Sequence, residues 1–295
     1  MTKPCLAPLS TMTPLHRSPP ANACDAHMHV FGPYDRFPLA EDRSYTPVPA
    51  DALAVIAHLD RTGMRRGVIV NASAYGTDNR SLLDALLAYP DRLRGVVVVN
   101  ATITEAELDD MTAAGVRGAR FNLFQVDGHA VYRNGAGLED FKALAPRLKA
   151  RGWHAQIWIH APDLPALMPT LLAPGIDLVI DHMGRMNTAR GVGDPGFVCL
   201  CKALSDGSAW VKISGADRIS SLGPPYADVT PFAQALLAAN IDRVVWGSDW
   251  PHINYFDASR MPDDGTLHNT LSRWLPEPSD LQKVLVDNPE KLYGF

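Results

Sequence analysis

Cysteine is scarce in this chain: four residues, Cys5, Cys24, Cys199 and Cys201, in 295. Cys199 and Cys201 stand too close for an ordinary disulfide. No C-x-x-C pair occurs, which excludes a zinc ribbon and a thioredoxin-type redox site. The expectation is reduced thiols in a reducing compartment, the cytoplasm. Positive charge is also short. Lys and Arg total 27 against 32 Asp and Glu, a formal net charge of −5. The basic face that nucleic acid requires is therefore missing, and nucleic acid is excluded as a partner. No run of 18 apolar residues is present, so no membrane-spanning helix is expected. A Gly-rich phosphate turn after the first strand is lacking, and so is a G-x-S-x-G elbow. Those absences argue against a dinucleotide fold and a serine hydrolase.

What is present is an ordinary globular mixture, 46% hydrophobic and 20% charged. A chain of this length buries a core without a disulfide or metal staple. The first 22 residues hold five prolines and no apolar stretch of signal-peptide length. They are expected to form an extended surface arm or a disordered tail, followed by one domain over residues 23–295. Oligomeric state is open, with room for a homo-oligomer.

From Cys24 onward, short apolar runs alternate with amphipathic stretches. Strands are predicted at Cys24–Val30, Gly67–Asn71, Gly95–Asn100, Gly118–Phe121, His154–His160, Asp177–Asp181, Trp210–Ile213 and Arg243–Gly247. Runs such as VVVV and LVI are apolar throughout, which suits strands covered on both faces. Between them lie eight helical stretches, among them ALAVIAHLDRT, the capping-box segment TEAELDDMTAA and, last, SDLQKVLVDN. Eight alternating units in about 270 residues match a (β/α)₈ TIM barrel, an α/β fold with helices outside. The long segment FGPYDRFPLAEDRSYTPVPAD after the first strand is expected to be a substrate loop.

In such a barrel the C-terminal strand ends carry chemistry. The first ends in Asp25-Ala26-His27-Met28-His29, whose two histidines share one side of a strand and form a natural metal-binding pair. The fifth ends in His160, the sixth in His182. Asp249 falls just past the eighth. Each histidine alone is more often a hydrogen-bonded core residue. Five such residues at strand ends converge only if the barrel forms. Asp25 and Asp181 are expected to be structural. Trp158, Trp246 and Trp250 are expected to pack the barrel, and no role is expected for His58 or for His268, placed in a late loop.

DAHMHVFG, RGARFN, IDHMGR and VWGSDWPH together resemble the amidohydrolase superfamily, over residues 23–295. Within it the chain is similar to the branch of sugar-lactone, pyrone-dicarboxylate and sulfonated muconolactone hydrolases. The resemblance implies an HxH pair at His27 and His29, a sixth-strand His182, and a catalytic Asp249 that takes a proton from water and returns it to the leaving group. It also places substrate contacts at Tyr45, Ser73, Arg120, Arg185 and Arg218. Two departures from the pyrone-dicarboxylate pattern stand out. The run RFNLFQVDGH has no arginine before Arg133, where that pattern has another carboxylate-binding one. A histidine, His160, ends the fifth strand, as in the zinc-dependent decarboxylases and hydrolases. The expectation is one Zn²⁺, with Mn²⁺ as the next candidate, held by His27, His29, His160 and Asp249. The reaction implied is opening of a small lactone bearing carboxylate or sulfonate, such as 4-sulfomuconolactone. A pyrone-dicarboxylate lactonase and a zinc-dependent decarboxylase are the alternatives.

Overall fold

A computed structural model describes residues 2–126, 129–131 and 134–295; Arg133 lies outside the described residues. Eight parallel strands stand in sequential order: β1 (Cys24–Met28), β2 (Arg66–Val70), β3 (Leu93–Val97), β4 (Val116–Asn122), β5 (His154–Trp158), β6 (Leu178–Ile180), β7 (Ala209–Lys212) and β8 (Val244–Val245). The sheet curls until β8 meets β1. Ala26 N donates to Trp246 O at 2.8 Å and Asp249 N to His27 O at 2.9 Å. Backbones approach closely at this seam. A Cβ on Gly247 would lie 2.4 Å from His27 N, so only glycine fits. The predicted (β/α)₈ barrel is the fold.

Among the described residues, one helix of nine or more residues follows each strand: α1 (Ala52–Thr62), α2 (Arg80–Ala88), α3 (Glu105–Ala113), α4 (Leu138–Lys149), α5 (Leu164–Leu172), α6 (Pro195–Ser205), α7 (Thr230–Asn240) and α8 (Asp264–Trp274). Their ends carry the expected signals. Asp51 caps α1 by accepting from Ala54 N at 3.0 Å, and Thr104 and Glu107 close a capping box on α3. Outward residues of the strands meet the helices in one large apolar layer, as where Phe121 packs edge-on against Phe141 of α4. Inward residues Val68, Val70, Val96, Val179 and Val245 form a smaller cluster inside the barrel, joined by Trp210 and Tyr293.

The helix after β8 differs from expectation. SDLQKVLVDN is helical, but α8 precedes it and takes the eighth helical position, so His268 sits in a helix. Its sequence hides it because much of its buried face is polar: Asp264, His268, Asn269 and Thr270. Those groups serve the N-terminal arm and a buried ion-pair network. Asn269 Oδ1 accepts from His16 N at 2.7 Å and its amide donates to Pro14 O at 3.0 Å. A Cβ on Gly265 would stand 1.9 Å from Thr13 O, which is why the arm can lie flat there. Further along, Cys5 N donates to Thr46 O at 2.8 Å and Leu6 N to Tyr255 O at 2.9 Å. The arm is therefore an ordered strap between the loop of Tyr45 and the loop after β8. All four cysteines are free thiols. Among the described residues, no helix is long and apolar enough to cross a membrane.

Candidate active site

An extra residue in β1 aims the first two histidines. Asp25 pairs with Gly67 and Met28 with Ile69, so three steps on β1 face two on β2. This bulge breaks the alternation. Ala26 joins the interior cluster and its neighbour His27 also points inward, while Asp25 faces outward toward His58 of α1. At the far side of the seam Asp249 adopts a left-handed backbone, φ 65°. Its carboxylate is gripped from one side by Arg218, whose Nε and Nη2 donate to Oδ2 at 3.1 and 3.0 Å. Three imidazoles face the other oxygen. His29 Nε2, His27 Nε2 and His182 Nε2 lie 3.3, 3.7 and 4.0 Å from Asp249 Oδ1. Burial disfavours the charge of Asp249, but the Arg218 guanidinium outweighs it and holds the carboxyl well below its usual range. His182 is pushed down to about 3 by burial and so is neutral. His29 Nδ1 bonds Val70 O at 2.8 Å, and a carbonyl only accepts, so that nitrogen carries a proton.

Above this centre opens a cavity of about 290 Å³. Tyr45, Ser73, Arg120, Arg185 and Arg218, the five expected substrate contacts, all line it, together with His29, His182 and Asp249. Arg120 lies against the Trp158 ring and Arg185 against Phe124. Trp158 is thus a cavity wall as well as packing. Ser73 Oγ is 3.3 Å from the Tyr45 hydroxyl. The residues brought together from β1, β4, β6 and β8 form the mouth of an amidohydrolase-type barrel. The amidohydrolase family profile matches residues 24–295. The chain belongs to the amidohydrolase family.

Among the relatives of this amidohydrolase is the 4-sulfomuconolactone hydrolase of Rhizobium radiobacter, 39% identical over 99% of this chain and 96% of that protein. A 2-pyrone-4,6-dicarboxylate hydrolase of Comamonas testosteroni is 39% identical over 93% of this chain and 90% of its own length. Among solved structures, a probable 2-pyrone-4,6-dicarboxylic acid hydrolase of Acinetobacter baumannii with citric acid bound superposes with a TM-score of 0.79. It is 29% identical, over 93% of this chain and 100% of that one.

The expected metal set is only partly assembled. Among the described residues, two groups bring three ligating atoms within 4.8 Å of one another: His27, His29 and Asp249, and His27, Asp181 and His182. His160 belongs to neither. β5 ends at Trp158, and His160 lies beyond it, leading into a 3₁₀ turn over Ala161–Asp163. There its ring meets Phe124 edge-on, half-buried. The inward residue on β5 at the height of His27 is Gln156, since Lys212 Nζ reaches both. The first group does fit a metal ion. His27 Nε2 is buried with no hydrogen-bond partner among the described residues. The 3.3 and 3.7 Å separations to Asp249 Oδ1 are close to the edge, about 3.3 Å, of a tetrahedron with bonds of about 2.05 Å. Two histidines and a carboxylate leave a fourth position open, the pattern of catalytic zinc sites.

Sequence reasoning missed the floor beneath this group. Lys212 of β7 is fully buried, with Nζ 2.9 Å from Ala26 O, 2.7 Å from Gln156 Oε1 and 3.3 Å from His27 Nδ1. Burial lowers its ammonium to about 8, so it remains charged near neutrality. Asp181, expected to be a structural residue pointing away, turns inward instead. Its Oδ1 is 3.3 Å from His27 Nδ1, and Oδ2 is 3.4 Å from Arg120 Nε. Burial opposes its charge, yet the Lys212 ammonium keeps it well below the carboxylate range. The signal for both residues was a charged side chain at an inward strand position, where only pairing makes charge tolerable.

A second buried network lies outside the seam. Asp25 Oδ1 accepts from His27 N and Ser248 N at 3.1 and 3.0 Å, tying β1 to the chain after β8. Asp264 Oδ1 bonds His252 Nε2 at 2.9 Å, and its Oδ2 lies 3.7 Å from His58 Nδ1. His58 stacks on Trp250. Asp25 is structural, as expected, and His58, His252 and Asp264 hold the loop behind Asp249.

Proposed function

We propose that this amidohydrolase is a lactone hydrolase acting on a small lactone that carries carboxylate or sulfonate groups, of the 4-sulfomuconolactone type. The observation that carries it is the convergence of three imidazole Nε2 atoms on Asp249 Oδ1 beneath a cavity lined by Arg120, Arg185 and Arg218. Guanidinium groups bind carboxylate and sulfonate through parallel hydrogen bonds. The names of both curated relatives, and the citric acid in the solved one, agree with a small anionic ligand. The muconolactone reading is favoured over pyrone dicarboxylate by the wall after Arg120. Phe124 and Trp158, 4.9 Å apart, make it aromatic, and the run after Arg120 has no second arginine before Arg133. The decarboxylase alternative draws on His160 and His182; His182 faces Asp249, whereas His160 belongs to neither group of ligating atoms.

Ring opening needs a deprotonated water, a polarised carbonyl and a protonated leaving oxygen. Asp249, ionised and pinned through Oδ2 by Arg218, accepts the proton of the attacking water at Oδ1. The water oxygen bonds the acyl carbon, the ring C–O bond breaks, and the carboxyl of Asp249 returns the proton to the ring oxygen. His182, oriented by Ser214 Oγ at 2.9 Å, lines the cavity where it can donate to the carbonyl oxygen as charge builds on it. A divalent cation held by His27, His29 and Asp249, Zn²⁺ or Mn²⁺, would supply Lewis-acid activation of water or carbonyl. Arg120 and Arg185 hold the acid groups and so orient the ring.

The test is an ultraviolet ring-opening assay with 4-sulfomuconolactone, 2-pyrone-4,6-dicarboxylate and an uncharged γ-lactone, before and after exhaustive chelation. Turnover of the sulfonated lactone at least about 100-fold more efficient than of the uncharged one is expected, as two charge-assisted contacts imply. No turnover of either anionic lactone, with or without metal, overturns the reading.

A further inference from the structure

A buried ammonium has one hydrogen bond left to give, and His27 is in its path. An ammonium has three donors and no acceptor. Lys212 spends two on Ala26 O and Gln156 Oε1, at 2.9 and 2.7 Å. Within reach of the third are His27 Nδ1 at 3.3 Å and Asp181 Oδ1 at 3.5 Å. The contact with His27 has hydrogen-bond geometry. Asp181 Oδ1 has no hydrogen-bond partner among the described residues, although it lies 3.3 Å from the same ring nitrogen. Its other oxygen is satisfied by Gln156 Nε2 at 2.9 Å. Lys212 only donates and a carboxylate only accepts, so His27 Nδ1 cannot serve both. Bonded to Lys212, it is an acceptor and the ring proton sits on Nε2. Bonded to Asp181, it is a donor and Nε2 presents a lone pair.

We propose that Lys212 is a positioning residue that holds His27 as the Nε2–H tautomer, making His27 a hydrogen-bond donor into the centre and weakening metal binding there. His27 Nε2 suits the part. It is buried, has no partner among the described residues, and is too far from Asp249 Oδ1, at 3.7 Å, to spend its proton there. The acceptor it awaits is the oxygen on which charge develops, the lactone carbonyl on the reading above. Asp181 is the rival. Should its carboxylate win Nδ1–H, the ring becomes a metal ligand oriented by a carboxylate, an arrangement common among metal-binding histidines. The inference rests on the lactonase reading only for the identity of that oxygen. The tautomer and the metal affinity follow from Lys212 alone.

Two measurements on the full chain test it, and neither needs a lactone. Long-range ¹H–¹⁵N spectra of ¹⁵N-histidine-labelled, metal-free protein report which ring nitrogen bears hydrogen. His27 is expected as Nε2–H in the wild type and as Nδ1–H in Lys212→Met. Zinc affinity, from competition with a chromophoric chelator, is expected to tighten about 10- to 100-fold in the variant, the usual scale for partners of a ligand. A wild-type His27 protonated on Nδ1 overturns the proposal, whether or not the variant folds. Equal or weaker zinc binding by a folded Lys212→Met overturns the metal part. A failed lactone assay leaves both readouts intact.

Discussion

Arg218 and Asp249 meet side-on, Nε and Nη2 donating to the same carboxylate oxygen at 3.1 and 3.0 Å. This leaves Oδ1 to face His27, His29 and His182. One arginine thus lines the cavity and also fixes the base, so its loss would disturb binding and chemistry together. Arg120 is similarly shared, with Asp181 at 3.4 Å. Arg185 stands at the cavity wall beside Phe124.

Arg185→Gln is accordingly expected to raise KM for the anionic lactone about 10- to 100-fold, the worth of one charged hydrogen bond. Its kcat should stay within a few-fold, because the interaction is made in ground and transition states alike. Steady-state kinetics check this. A fall in kcat with KM unchanged would place Arg185 at the reacting atoms.

Replacing His29 and His160 in turn separates the three-residue group that the structure assembles from the four-residue set expected in the sequence. At saturating zinc, His29→Ala should lose the bound ion, whereas His160→Ala should keep about one equivalent per chain. Metal analysis after gel filtration reads the difference. Loss of zinc in His160→Ala would return that residue to the centre.

Acid stability carries the mark of a buried neutral histidine. His154, at the floor of the barrel, is pushed down to about 3 by burial and by Lys212. Its unfolded value is about 6.5. Between the two the unfolded chain binds the extra proton, so stability is full above about 6.5 and falls as pH drops toward about 3. His154→Asn should flatten urea-unfolding free energy over that window by up to about 1.4 kcal/mol per pH unit. An unchanged slope would mean that His154 is already protonated in the folded protein.

Strand ends were readable in the sequence because catalytic barrels place rare polar residues directly after apolar runs. His27, His29, His182 and Asp249 announce themselves in that way, and the arginines do so only with the family resemblance. For His160, the sequence does not reveal that β5 stops at Trp158, with Gln156 at the height of His27. Lys212 was missed since AWVK reads as an apolar strand with a polar end. Its charge is bearable only through oxygens from β1, β5 and the end of β6, which meet solely in three dimensions. His27 and Asp181 show the limit of strand alternation. A bulge in β1 turns His27 inward beside Ala26, and Asp181 follows the three-residue β6 into the barrel. Helix α8 went unseen because its buried face is dressed for the arm and for His58, not for an apolar core.

The most direct test is the rate of 4-sulfomuconolactone opening by Asp249→Asn beside the wild type, in the same buffer and at the same metal content. Asparagine keeps the shape and a partner for Arg218 but cannot take the proton of the attacking water. A fall in kcat of about 10²- to 10⁴-fold, with the fold intact by circular dichroism, is the expected result. Ring opening within about tenfold of the wild-type rate would show that the proton goes elsewhere, and would contradict the role given to Asp249.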